Sequence, residues 1–182
     1  LFWRDPSERN GADICLEAYD RLAPEFPQVD FDLAVRSHWK PVPGIDDLAS
    51  RHDNVHVYRF PYPAGITIPG LLADSICALM PFRQQSVDPQ LSIMESMAAE
   101  VPVVSTDMGS IPEFIAPREN GMLIPSGDVG AAVEAVRYCV SNPERARAMG
   151  RAAREDLLSR WNWTHWVEDL SAIYRRVVEP TR

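Results

Sequence analysis

The sequence lacks the features that mark several large classes of protein. Its three cysteines, Cys15, Cys77 and Cys139, lie far apart and form no Cys-x-x-Cys pair. This spacing predicts buried free thiols in a reducing compartment rather than a disulfide framework. Of the four histidines, only His52 and His56 are near each other, and the start of a predicted strand separates them. We therefore predict no metal site.

Positive charge is also scarce, with 18 Lys and Arg against 26 Asp and Glu and a net charge of −8. Nucleic-acid binding needs a basic face, so we predict no nucleic-acid partner. A net negative charge is still compatible with a local basic pocket for one phosphorylated ligand. No signal peptide or membrane span is evident, because prolines, a glycine and an aspartate interrupt the most apolar stretch, residues 64–82. We expect a cytoplasmic protein, with membrane-surface association of a full-length protein left open.

A Gly-x-Gly-x-x-Gly motif after a strand is missing too, which disfavours a dinucleotide oxidoreductase. The length of 182 residues, with 46% hydrophobic and 24% charged residues, is typical of one globular domain over residues 1–182. The sequence starts at Leu1, without methionine and inside a predicted strand. We therefore expect a piece of a longer protein.

Predicted strands and helices alternate along the chain. Strand-forming runs lie at residues 1–3, 31–35, 54–60, 76–80, 101–105 and 122–124. Helical periodicity or capping signals occur from residue 11, and over residues 45–51, 69–74, 91–98, 129–140, 143–160 and 164–178. This order predicts an α/β fold, a Rossmann-like three-layer α/β/α arrangement with a mostly parallel sheet, plus C-terminal helices.

Ligands of such sheets bind at the carboxyl ends of the strands. Four predicted loops lie there: residues 4–10, 61–67, 82–90 and 106–110. The helix that begins near Leu91 offers unpaired N–H groups and a partial positive charge to a phosphate. Arg4 and Arg9 can add full charges, and Glu95, on the same helix face as Ser92, can accept hydrogen bonds from a ribose diol.

Each of these residues also has an ordinary structural interpretation. A glutamate in the first turns of a helix commonly offsets the helix dipole, and loop arginines are usually solvated. It is their combination, in this order and spacing, that favours a nucleotide-diphosphate site.

Several stretches together resemble one enzyme family. Residues 92–104, SIMESMAAEVPVV, resemble the "LLEAMACGxPVV" signature of group 1 (family-four) glycosyltransferases. Residues 105–113, STDMGSIPE, resemble "ATDVGGIPE", and residues 120–125, NGMLIP, resemble "NGLLVP". The resemblance covers nearly the whole chain and is to the C-terminal, donor-binding domain of the GT-B fold.

This resemblance implies retaining transfer of a hexosyl group from a UDP- or GDP-sugar, as in polysaccharide biosynthesis, without cofactor or essential metal. The partners implied are the nucleotide-sugar and an N-terminal GT-B domain of the same chain, without which this domain should be inactive. The implied site residues fall into three groups. The diphosphate is assigned to Arg4, to Arg9 or Asn10, of which we favour Arg9 for its charge, and to backbone N–H groups around Gln90, Leu91 and Ser92. The ribose is assigned to Glu95, and the base to the region of Phe60, Tyr62 and Leu72.

The sequence also departs from the family pattern. Glu95 matches the second glutamate of the family's E-x7-E pair, but the first falls on Val87, which cannot hydrogen-bond a sugar. Asp88, one residue on, is the candidate substitute if the loop shifts. Asp88 and Gln90 also replace glycines of the family's loop, with Pro89 between them, and make the loop bulkier. Nucleotide binding is thus better supported than any particular sugar. A degenerate, non-catalytic nucleotide- or glycan-binding module is the alternative, and the motif matches argue against an epimerase of the same fold.

Three tryptophans near the end of the chain, Trp161, Trp163 and Trp166, have two interpretations. They could form a sugar platform. We favour packing of the last helices onto the sheet or onto an N-terminal domain.

Overall fold

The core of the molecule is a parallel sheet. The computed structural model describes residues 1–36, 42–84, 87–88 and 90–178. Its strands are β1 (Phe31–Val35), β2 (Val55–Arg59), β3 (Ala78–Met80), β4 (Val103–Thr106) and β5 (Gly121–Ile124). β1 pairs with β2, β3 with β4, and β4 with β5, and all three pairings are parallel.

The extended segment Leu1–Trp3 joins these two groups of strands. The Phe2 N–H donates to the Asp32 carbonyl over 2.8 Å, and on the other side the Leu79 N–H donates to the Leu1 carbonyl over 2.9 Å. The spatial order is therefore β2, β1, the Leu1–Trp3 segment, β3, β4, β5. This is the order of a doubly wound nucleotide-binding sheet.

Eight helices lie in the described residues. They are α1 (Ala12–Leu22), α2 (Ile45–Arg51), α3 (Ile68–Ala73), α4 (Leu91–Ala98), α5 (Ile111–Phe114), α6 (Val129–Ser141), α7 (Pro143–Arg160) and α8 (Trp163–Val178). The predicted alternation of strands and helices is confirmed. The differences are small: the loop predicted at residues 4–10 ends in a 3₁₀ turn, Glu8–Asn10, and the strand predicted from residue 76 begins at Ala78.

Two hydrophobic cores lie on opposite faces of the sheet. Ala78 and Met80 of β3 belong to the core that includes α4, whereas Leu79 belongs to the core that includes α1 and α6. Val103 and Val104 of β4 divide in the same way. Since successive side chains of a strand point to opposite faces, this division confirms the predicted three layers. All three cysteines are buried and free, as predicted.

The last helix differs from the others, because none of its residues is buried. Trp161, just before α8, stacks on Phe114 with 4.3 Å between ring centroids and packs as predicted. Trp163 and Trp166 do not pack on the sheet: they stack on each other at 4.9 Å and are 74% and 54% exposed. Among the described helices, none combines the length and apolarity needed to cross a bilayer.

Candidate functional site

The strand order places a crevice at one point of the carboxyl edge. From the Leu1–Trp3 segment the chain runs first to β1 and β2 on one side, and later to β3, β4 and β5 on the other. The connections that leave Leu1–Trp3 and β3 therefore run in opposite directions along the sheet, and ligands of such sheets bind at this switch point. These are the two loops that carry most of the predicted phosphate-binding residues.

The two loops are held together through backbone groups. The N–H groups of Arg83 and Gln84 donate to the Arg9 carbonyl over 3.0 and 3.2 Å. Gly11 adopts a left-handed conformation, with φ of 75°, and a Cβ there would lie 1.9 Å from the Pro81 carbonyl oxygen. Only glycine fits such a close approach of two backbones. The spacing of the loops is therefore fixed without any ligand.

Arg4 lies inside this crevice. Its guanidinium carbon is 5.7 Å from the centre of the Phe82 ring, and its Nε is buried with no hydrogen-bond partner in the described residues. Burial lowers the pKa of Arg4; Asp5 opposes this shift, Arg36 adds to it and Glu95 opposes it. Arg4 thus shares an electrostatic environment with Glu95, as the predicted site requires.

The two residues considered for the second cation have different surroundings. Asn10 is 6% exposed, and its amide donates to the Asp5 carbonyl over 3.1 Å and to Ser7 Oγ over 3.3 Å. It therefore holds the loop in shape. Arg9 is exposed. Of the two, Arg9 is the residue that offers a charge to a ligand.

The start of α4 carries a group of buried polar atoms without partners. Gln90, the N-cap residue, is 2% exposed and Ser92 is 1% exposed. Neither the Gln90 amide nor the Ser92 hydroxyl has a hydrogen-bond partner within the part of the chain that the structure describes. Buried polar groups are nearly always paired, so these atoms indicate a place for a polar ligand or water. Leu91 and Glu95 are exposed.

Two residues at this edge were not predicted as site residues. Thr106 ends β4, is fully buried, and its Oγ1 lacks a partner among the described residues. Arg36 follows β1, and its guanidinium lies 5.9 Å from the Phe60 ring centre. Their signal in the sequence is their position at the end of a predicted strand.

The residues predicted for the base lie on two different elements. Phe60 and Tyr62 follow β2 and pack edge to face, with 5.6 Å between ring centroids, and Phe60 is 46% exposed. They form an aromatic surface. Leu72 on α3 is only 3% exposed and packs in the same core as Met80 and Phe82. It is therefore a core residue with little surface to offer a base.

The loop that differs from the family is engaged with the loop after β4. Val87 is 52% exposed, and the Ser110 hydroxyl donates to Asp88 Oδ1. Residues 85, 86 and 89 of the predicted loop lie outside the described residues.

Among the described residues, no group of three or more His, Cys, Asp or Glu side chains is placed to hold a metal ion.

Comparison with protein families identifies the chain. The family model described as "Glycosyl transferases group 1" matches residues 3–142. The chain belongs to this family. The match includes both loops of the crevice and the whole of α4.

Curated relatives are glycosyltransferases of several specificities. The chain is 38% identical over 90 residues to alpha-maltose-1-phosphate synthase of Mycolicibacterium smegmatis, covering 46% of this chain and 23% of the relative. It is 29% identical over 158 residues to a GDP-mannose-dependent phosphatidylinositol monomannoside mannosyltransferase of the same organism, covering 84% of this chain and 35% of the relative. The chain thus spans about a quarter to a third of these relatives.

Solved structures share the fold. A glycosyltransferase from Rickettsia africae matches with a TM-score of 0.77 and 16% identity, covering 100% of this chain and 48% of that one. Anabaena HepE in complex with UDP matches with a TM-score of 0.72 and 20% identity, covering 94% of this chain and 48% of HepE. The C-terminal domain of a group 1 glycosyl transferase from Francisella tularensis matches with a TM-score of 0.73 and 15% identity, covering 89% of this chain and 85% of that domain. These likenesses support the Rossmann-like fold of GT-B enzymes.

Proposed function

We propose that this chain is the C-terminal, donor-binding domain of a retaining GT-B glycosyltransferase, and that it binds a UDP- or GDP-sugar at the crevice. The observation that carries the proposal is a set of polar atoms at the carboxyl edge that are buried and have no hydrogen-bond partner among the described residues. They are Arg4 Nε, both polar atoms of the Gln90 side chain, Ser92 Oγ and Thr106 Oγ1. They lie on the loop after Leu1–Trp3, at the start of α4 and at the end of β4.

Each part of a nucleotide-diphosphate has a complementary group. The first N–H groups of α4, at Leu91 and Ser92, have no acceptor within the helix and suit phosphate oxygens. Arg4 and Arg9 neutralise the diphosphate, so the site needs no metal ion to do so. Glu95 accepts from the ribose hydroxyls, one helical turn from the phosphates. The printed description of Anabaena HepE, which was solved with UDP, supports this class of ligand.

The aromatic surface of Phe60 and Tyr62 is the proposed base site. Stacking on aromatic rings is tolerant of base identity, so it suits uridine and guanosine alike. The sugar would then lie near Val87 and Asp88. The Ser110 hydroxyl already donates a hydrogen bond to Asp88 Oδ1, so Asp88 would have to exchange this bond for one to the sugar.

We further propose that the full enzyme contains an N-terminal GT-B domain that supplies the acceptor site, and that it transfers a hexosyl group in polysaccharide biosynthesis. The Francisella tularensis structure, described as a C-terminal domain, matches this chain over most of its own length and supports this division. On this view the isolated chain binds nucleotide weakly and transfers no sugar. The buried free thiols suit a reducing, cytoplasmic location.

Calorimetric titration of the 182-residue chain with UDP, GDP and ADP tests the proposal. We expect saturable binding of UDP or GDP that is tighter than that of ADP, and weaker at high salt because phosphate is held by arginines. Failure of all three nucleotides to bind, to this chain and to a longer natural form, would contradict it.

A degenerate binding module is the second candidate, and Val87 in place of the family's glutamate is the observation that favours it. Both candidate functions include nucleotide binding, and only the enzyme cleaves the nucleotide-sugar. Release of UDP or GDP from the nucleotide-sugar by the full-length protein, with acceptor present, indicates an enzyme. Nucleotide binding without any release would support the module.

A further inference from the structure

Arg36 lies at the carboxyl edge of the sheet, next to the aromatic surface of Phe60 and Tyr62. β1 and β2 pair with Val35 opposite Arg59, and the Phe60 N–H donates to the Val35 carbonyl over 2.9 Å. The residues that follow this pair, Arg36 and Phe60, are therefore neighbours across the two chains. The Arg36 guanidinium carbon is 5.9 Å from the centre of the Phe60 ring.

The two arginines at the ends of β1 and β2 belong to opposite faces of the sheet. Val35 belongs to the core that includes α1. Arg59 pairs with Asp46 of α2 over 2.7 Å, and the buried residues of α2 belong to the same core. Successive side chains alternate between the faces, so Arg36 and Phe60 belong to the other face. That is the face on which α4 packs, and hence the side of the proposed phosphate site.

Arg36 carries a positive charge without an acidic partner. Within the part of the chain that the structure describes it forms no ion pair, unlike Arg59. Its charge also acts on Arg4, whose pKa is lowered chiefly by burial, raised by Asp5 and lowered again by Arg36. Like charges that fold into one site repel each other, and a ligand that offers acceptor atoms relieves this repulsion. Arg36 is therefore suited to a contact with the ligand.

The strand order places Arg36 on the path from the phosphates to the base. The proposed diphosphate contacts lie on α4 and on the loop after Leu1–Trp3. β1 is the next strand of the sheet and β2 the one after it. Each step between strands is about 4.8 Å. A nucleotide with its diphosphate at Arg4 and its base on Phe60 therefore passes beside Arg36, which is nearer to the base.

We propose that Arg36 makes the base site selective for guanine by donating two hydrogen bonds, to O6 and N7 of that base. This inference rests on the proposed donor function and adds the base that the site prefers. A guanidinium is a planar fork of donors without any acceptor. Guanine has two acceptors, O6 and N7, side by side on one edge, whereas adenine has a donor beside N7 and uracil has only O4 on the corresponding edge. Stacking on Phe60 and Tyr62 does not distinguish the bases, so the discrimination comes from Arg36.

Titration calorimetry of the 182-residue chain with GDP, inosine diphosphate, 7-deaza-GDP and UDP tests the proposal. Inosine diphosphate keeps both O6 and N7, whereas 7-deaza-GDP lacks the N7 acceptor. We expect GDP and inosine diphosphate to bind about 10-fold more tightly than UDP, since a bidentate contact to a base edge discriminates to roughly this extent. 7-deaza-GDP should lose most of this advantage.

Three variants separate the guanidinium fork from its charge. Arg36→Ala should bring the affinity for GDP down to that for UDP, and its remaining affinity for UDP shows that the variant is folded. Arg36→Lys keeps the charge without the fork and should also lose most of the preference for GDP. Arg59→Ala is the matched control, because it removes one charge from the neighbouring strand on the other face. It should keep the GDP-to-UDP affinity ratio of the natural sequence.

Three results would overturn the proposal while GDP and UDP still bind and the donor function stands. The first is that 7-deaza-GDP binds as tightly as GDP. The second is that Arg36→Ala keeps the natural GDP-to-UDP ratio. The third is that Arg36→Ala weakens GDP, UDP and inorganic pyrophosphate by the same factor, which would place Arg36 at the phosphates. If the natural sequence binds no nucleotide, both the donor function and this proposal are wrong.

Discussion

At the scale of single residues, the proposed donor site depends on a few side chains with unusual surroundings. Arg4 has lost water on folding and stacks over Phe82, yet its Nε has gained no partner among the described residues. An arginine in this state is prepared for an anion. Removing it should therefore affect the ligand far more than the fold.

Arg4→Ala should weaken UDP or GDP binding roughly 10- to 100-fold, since a hydrogen bond to a charged group contributes about 1.5–3 kcal/mol. Titration calorimetry measures the change. Arg145→Ala, an exposed arginine on α7, is the matched control and should bind as before. An equal effect of the two variants would show that Arg4 acts only through net charge.

Glu95→Gln should separate ribose recognition from phosphate recognition. The amide offers one acceptor where the carboxylate offers two, so UDP binding should weaken several-fold, whereas inorganic pyrophosphate should bind as well or better. Better binding is expected because Glu95 lies within electrostatic range of Arg4. A parallel loss for both ligands would place Glu95 at the phosphates instead.

At the scale of elements, the turn between α4 and β4 shows how the chain departs from its family locally. Glu100 has a φ of 61°, and the bonds from the Glu100 N–H to Met97 O and from the Val101 N–H to Ser96 O form a Schellman motif. The family signature has glycine at this position. Glutamate there carries the strain of the left-handed region.

Glu100→Gly should raise the free energy of unfolding by about 1 kcal/mol, because glycine adopts this conformation without a steric cost. The exposed ion pair with Arg154, at 3.7 Å, contributes little and is a small loss. Urea denaturation measures the change. Glu100→Ala keeps a Cβ and should give no gain, and an equal gain from both variants would assign the effect to charge.

The packing of α7 on this turn gives a second element-scale prediction. A Cβ on Gly150 would lie 1.8 Å from the Glu100 carbonyl oxygen, a backbone atom that cannot move aside. Gly150→Ala should therefore destabilise the protein by about 1–3 kcal/mol in thermal or urea unfolding. Gly130→Ala, whose Cβ meets only the Asp128 side chain at 3.3 Å, is the control and should have a much smaller effect.

The elements themselves were largely predictable, whereas the contacts that make the site were only partly so. Helix α4 and strand β4 follow from local periodicity, and Glu95 follows from its position in the helix. Thr106 and Arg36 escaped prediction because their importance depends on which strands are neighbours. The same is true of Gly11, whose close approach to Pro81 exists only after both loops have folded.

At the scale of the whole molecule, α8 is attached to the domain without being part of its core. None of its residues is buried, and Trp163 and Trp166 expose their stacked rings. The sequence predicted an amphipathic helix here but could not show what covers its apolar face. Such a face should promote association and contribute little to stability.

Deletion of residues 163–182 should change the free energy of unfolding by less than about 1 kcal/mol, since little apolar surface is exposed by the loss. Circular dichroism in urea measures this change. Deletion from residue 150 onward is the contrast, because it also removes the buried Ala153 and Leu157. A large loss from the shorter deletion would show that α8 packs on the domain in solution.

The insertion of Leu1–Trp3 into the middle of the sheet has a consequence for how the molecule folds. β1 and β2 form a two-stranded parallel sheet, and β3, β4 and β5 form a three-stranded one. Backbone hydrogen bonds of Leu1–Trp3 join the two into one continuous ladder. Its contacts join residues some 30 and 80 positions apart, as Asp32 and Leu79 show. Ladder closure thus carries a large loop entropy and should come late in folding. The amide protons of Phe2 and Leu79 should consequently exchange with solvent only when the whole sheet opens, whereas those of α8 exchange by local fraying.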